Sequence, residues 1–192
     1  MVKTIRKFKK ITADDQGLAV TYDAMKTDDA TALLGTISRR SPDPIHPDML
    51  DALRRLAPHL AILAEVRGLP EGYTSGESPY NGATLSHLVD KAVTVRGVQL
   101  THSTEGGKGY GVRIIGTVSV RAGGLSIKTP CVDDTVIYPY RRELFAAVDV
   151  LLREVTAYLD EDKTAFRQLD MFADATPENS PKTPKKRTKS SK

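Results

Sequence analysis

Alternation of apolar and polar residues through Leu18-Ala19-Val20-Thr21-Tyr22 gives the two-residue period of a strand with one wet face. With the segment around Lys9-Lys10-Ile11-Thr12 it predicts a hairpin from Phe8 to Tyr22, turning through Asp14-Asp15-Gln16-Gly17. A third strand is expected over Thr31 to Arg39, although Leu33-Leu34 also fits a helix. Three prolines in Ser41-Pro42-Asp43-Pro44-Ile45-His46-Pro47 then remove backbone donors and fix φ, breaking regular structure.

From Pro47 the period changes to three and four. Leu50, Leu53, Leu56, Leu60, Leu63 and Val66 make one stripe of a helix through Arg67, with Gly68 as its stop and Pro58 as a kink or a split. Leu69 to Asp90, rich in Gly, Pro, Ser and Tyr, reads as loop. Strands return in Val93-Thr94-Val95-Arg96 and Val98-Gln99-Leu100-Thr101, where Gly97 shifts the alternation as a bulge does. Val112, Ile114, Gly116, Val118 and Val120 face one way in the next strand. Arg113, Thr117, Ser119 and Arg121 face the other. Gly123-Gly124 turns into Leu125-Ser126-Ile127-Lys128, completing a three-stranded antiparallel meander. A last helix is expected from about Arg142 to Arg167, its buried side marked by Leu144, Val148, Leu151, Leu152, Val155, Tyr158 and Leu159. The fold class is α+β: antiparallel meander sheets with two main helices. The expected division is a globular domain over 1–160, a helix end and exposed peptide over 161–172, and a disordered basic tail over 173–192.

Charge sharpens that division. Residues 1–172 hold 22 basic and 22 acidic side chains, so the net +4 resides in the tail, where six cations face Asp174 and Glu178. A neutral body does not rely on broad electrostatic capture of nucleic acid. One cysteine, Cys131, leaves no internal disulfide, and no signal peptide or spanning helix is read; a cytoplasmic location is expected.

The most specific chemistry lies where the helical pattern stops. Gln168-Leu169-Asp170-Met171-Phe172 reads Q-L-x-(L/M)-F. An extended peptide of this kind offers Leu169, Met171 and Phe172 to an apolar cleft, while the Gln168 amide fixes orientation. It resembles the motif by which bacterial DNA-metabolism proteins bind the sliding clamp, the ring-shaped processivity factor of the replicative polymerase. Met171 departs from the more usual Leu, a volume-conserving change. The resemblance implies a host sliding clamp as partner and a role in DNA replication or recombination. The body is similar to small bacteriophage and prophage proteins of no assigned activity. They carry a V-x-G-V segment (here Val95-Arg96-Gly97-Val98), a Thr-Pro step after a later strand (Thr129-Pro130), and a final helix followed by a clamp-like peptide. That likeness implies a phage context.

Other candidates are weaker. Gly106-Gly107-Lys108-Gly109-Tyr110-Gly111 lacks P-loop spacing and precedes a strand, so it reads as a hairpin loop in which Lys108 and Tyr110 touch a nucleic-acid backbone. In the tail, Lys182, Lys185, Lys186, Arg187 and Lys189 suit non-specific phosphate contact. His46, His59, His87 and His102 are dispersed, so no metal site or cofactor is expected. Asp133-Asp134 and Glu161-Asp162-Lys163 fall on a loop and a helix end rather than on adjacent strands around a metal, and the chain is read as non-enzymatic. The alternative function is a single-stranded nucleic-acid-binding module using the sheet face (Arg96, Arg113, Arg121, Lys128) and the Gly-rich loop.

Overall fold

The computed structural model describes residues 4–14, 17–26, 32–102, 109–121 and 123–161. In chain order the elements are β1 (Thr4–Asp14), β2 (Gly17–Lys26), β3 (Leu33–Ser41), α1 (Pro47–Arg54), α2 (Ala57–Leu63), α3 (Gly82–Val89), β4 (Val93–His102), β5 (Tyr110–Val120), β6 (Gly123–Lys128) and α4 (Arg141–Glu161). The class is α+β, as the sequence pattern implies. Its two groups of strands, however, join into one six-stranded antiparallel sheet of order β3-β2-β1-β4-β5-β6.

The junction is narrow. β1 and β4 pair only through Lys10↔Gln99, Ile11↔Val98 and Thr12↔Gly97. Gly97 is required there because a Cβ would lie 2.0 Å from the Ile11 carbonyl oxygen. The expected irregularity at Gly97 is present as a register shift between Val95 and Gly97.

Register sorts the two faces of the sheet. Arg39, Val20, Ile11, Val98 and Ile114 form one row across five strands, and all but Arg39 are buried. Their neighbours one position along, Ser38, Thr21, Lys10, Gln99 and Arg113, form the parallel row on the opposite face. The row of apolar residues is covered by helices: α1 and α2 contact β4, α2 contacts β5, and α1 contacts α4. Gly116 lets α2 approach, since a Cβ there would meet Leu60 Cδ2 at 2.4 Å.

The long helical stripe splits at its proline. Pro58 has no N–H to extend α1 and instead starts α2, where the first turn needs no such donor. α1 begins at Pro47, capped by His46 Nδ1, which accepts from the Asp48 N–H at 3.2 Å. Leu53, Leu56 and Leu60 of the stripe are buried, whereas Leu50 is exposed and Met49 takes the inward place. The stretch read as all loop contains a helix, α3. Asn81 caps it by accepting from Thr84 N–H at 3.1 Å, and Leu85 and Val89 seat it in the core. Together α1 to α4 make four helices among the described residues, where two main ones are expected from the pattern. α4 buries Leu144, Val148, Leu151, Val155 and Leu159 as its periodicity demands, and residues 162–167 of the expected helix lie outside the described residues. The Thr129-Pro130 step has a physical use: Thr129 Oγ1 accepts the Ile114 N–H at 2.9 Å, and Thr129 N–H donates to the Ile114 carbonyl at 3.0 Å.

Candidate functional site

Of the residues of the clamp-like peptide, the Gly-rich loop and the basic tail, Tyr110 alone is among those described. Gln168 to Phe172, Lys108, Lys182, Lys185, Lys186, Arg187 and Lys189 lie outside them. What the structure supplies is the platform that these segments leave from.

The end of α4 is that platform for the clamp-like peptide. Leu159 is buried, and two cations from β1 and β3, on the helix-covered face of the sheet, hold the last turn. Arg6 Nη2 donates to Asp160 Oδ1 at 2.6 Å, and Arg39 Nη1 reaches the Leu159 carbonyl at 3.4 Å. The Arg6 guanidinium also lies over the Tyr22 ring, 5.6 Å from its centroid. Its hydrogen bond lowers the Asp160 carboxyl below the usual carboxylate range. Asp160 itself is exposed, so the helix is anchored up to Leu159 and turns polar immediately after.

The second surface is the sheet face that no helix among the described residues covers. Besides the row containing Lys10, Gln99 and Arg113, a row one step further runs Arg40, Ala19, Thr12, Gly97, Ile115 and Lys128 across all six strands. Lys7 pairs with Asp23, which pairs with Thr36, on the same face. Asp23 is drawn below its ordinary pKa by Lys9, at 2.8 Å, and by Thr36 Oγ1, at 2.6 Å. Asp14 pairs with Arg40 at 3.4 Å. Arg96, at the β4 bulge, donates to Thr117 Oγ1 at 3.2 Å. Arg121 follows β5 in the turn to β6, so the alternative reading's four cations fall on or beside this face.

A cleft of about 320 Å³ opens at one end of this face, lined by Thr101, His102, Gly109, Gly111, Cys131 and Asp133. Gly111 permits it, since a Cβ would meet Cys131 Sγ at 2.5 Å. Its carboxylates are occupied locally. Asp133 accepts from Thr135 N–H at 2.8 Å and Thr135 Oγ1 at 2.7 Å, which lowers its pKa, and Asp134 pairs with Arg141 at 3.2 Å. Tyr110 turns away toward the helices. Its hydroxyl donates to Asp149 Oδ1 at 2.8 Å, its ring packs on Phe145, and burial followed by the Asp149 bond pushes its pKa up. No group of three or more His, Cys, Asp or Glu among the described residues is placed to hold a metal ion.

Sequence reasoning missed one polar cluster altogether. His59 is fully buried, with Nδ1 2.8 Å from the Tyr138 hydroxyl and Nε2 3.1 Å from the Tyr80 hydroxyl. The His59 and Tyr80 rings stack at 5.0 Å, and Tyr140 packs on both Tyr80 and Tyr138. Burial lowers His59 to about 4 and raises Tyr80 to about 12. Held neutral, the imidazole donates through one nitrogen and accepts through the other, so it links two loops to α2. Its partners lie 21 and 79 residues away, a distance over which no spacing rule operates.

No family model, curated protein or solved structure matches this chain. No helix among the described residues is long and apolar enough to cross a membrane.

Proposed function

We propose that this chain is a phage-type accessory protein of DNA replication or recombination that docks on the host sliding clamp through Gln168 to Phe172. The observation that carries the proposal is the sequence Q-L-D-M-F itself, placed nine residues after Leu159, the last buried residue of α4 among those described. The anchoring of α4 by Arg6 and Arg39 supports it, because a tether works best from a fixed point.

Burying Leu169, Met171 and Phe172 contributes about 1.5–3 kcal/mol each before ordering costs. The net is about −8 kcal/mol, a micromolar dissociation constant. Exchange at that strength suits a hub that many proteins visit in turn. The basic run from Lys182 onward lies close enough in sequence to reach the duplex that the ring encircles.

Retention of purified clamp on the immobilised chain tests the reading. Parent and Met171→Leu should hold the ring, and Leu169→Ala and Phe172→Ala should release it. Equal retention by all four would remove the proposal.

A further inference from the structure

We propose that the open face of the six-stranded sheet is a second binding surface, separate from the clamp motif, that takes the phosphate backbone of duplex DNA. The argument begins with charge. Asp23 and Asp14, the carboxylates within the strand rows of this face, are each matched by a cation, Lys9 and Arg40. Lys7, Lys10, Arg96, Arg113 and Lys128 remain in excess. Lys7, Lys10, Arg113 and Lys128 form no ion pair among the described residues. The acidic corner, Asp133 and Asp134, sits past Gly111 at one end and engages Thr135 and Arg141. A chain whose first 172 residues are neutral therefore concentrates positive charge on one side of its sheet.

Spacing is the second argument. Lys10 and Arg113 flank Gln99 in one cross-strand row, two strand steps or about 10 Å apart. Lys10 on β1 and Lys128 on β6 stand three strand steps, or roughly 14 Å, apart. That is wide enough to span a groove of about 12 Å. Among the cations lie Thr12, Thr94, Thr117, one hydroxyl of the Thr21–Ser38 pair and the Gln99 amide, each able to donate to phosphate oxygens.

The chemistry also selects the form of nucleic acid. Sheet platforms for single strands stack bases on exposed rings. Here the strand rings Phe8 and Tyr22 are buried on the helix side, and Tyr110 is turned onto Phe145 and Asp149. With hydroxyls and fixed cations but no ring among the described residues of the face, the surface fits a rigid array of phosphates. Phosphate contact of this kind carries no sequence information, so binding is expected to be independent of sequence.

The test is fluorescence anisotropy of the full chain with a labelled duplex of about two helical turns, and with one of its strands, across about 50 to 200 mM salt. Lys10→Glu/Arg113→Glu should weaken duplex binding at least tenfold and reduce the slope of log affinity against log salt by about 2. Both positions accept polar side chains on an uncovered face, and circular dichroism checks that the variant is folded. Leu169→Ala/Phe172→Ala should bind duplex as the parent does, so loss of clamp binding and loss of DNA binding are read separately. Affinity lost only on Lys185→Gln/Lys186→Gln/Arg187→Gln, or a single strand held as tightly as the duplex, would overturn the assignment.

Discussion

His59 is the residue whose behaviour departs most from its type. An exposed imidazole gains a proton near pH 6.5, but burial between Tyr138 and Tyr80 holds this one to about 4. Because the folded value is depressed, the unfolded chain binds the proton first as pH falls. The neutral form's contribution is complete above about 6.5 and is lost progressively on the way down to about 4. Between pH 7 and pH 5 the parent should lose about 2 kcal/mol of unfolding free energy that His59→Gln does not lose, measured by urea titration at both pH values. A parallel loss in the two proteins would contradict the assignment. Tyr110 gives the complementary case. Tyr110→Phe removes the hydroxyl bond to Asp149 and should cost about 1 kcal/mol in the same titration, while duplex affinity stays at the parent value. Neither role was legible in the sequence: His59 reads as one of four scattered histidines, and Tyr110 as part of a glycine-rich loop.

At the scale of elements, local pattern carried further. The alternation around Val20 and in Val112 to Gly116, and the three-four spacing of Leu144, Val148, Leu151, Val155 and Leu159, place residues that the structure buries. Val118, Leu152 and Tyr158, by contrast, are half-buried, and Val120 is exposed. α3 escaped because its turn is short, it seats only Leu85 and Val89, and Gly, Ser and Pro surround it. Asn81, with a capping side chain, was the available signal. The union of the two strand groups was out of reach for a different reason. It depends on three residue pairs between β1 and β4, 85 to 89 residues apart in sequence, and no turn chemistry announces them. Gly97 is the point on which that seam depends. Gly97→Ala drives a methyl group into the Ile11 carbonyl, and should lower stability by about 3 kcal/mol. Thermal unfolding followed by circular dichroism checks it, with Gly35→Ala on edge strand β3, where a Cβ meets nothing, as the milder comparison.

For the whole molecule, the arrangement is a sheet with one face closed by helices and one left polar and positive, followed by a helix anchored at its end. The fold class followed from period and turn residues. The division of charge between the two faces required the register. On the proposed reading, the C-terminal peptide holds the ring and the open face lies against the DNA passing through it. Each contact is weak alone, and the two together raise the effective concentration of either. The docking peptide remains the central claim, and calorimetric titration of the full chain into purified sliding clamp tests it most directly. A saturable micromolar isotherm that disappears on Phe172→Ala and persists on Met171→Leu is the predicted result. An isotherm unaltered by Phe172→Ala, or no binding by the parent at tens of micromolar, roughly tenfold above the expected dissociation constant, would contradict it.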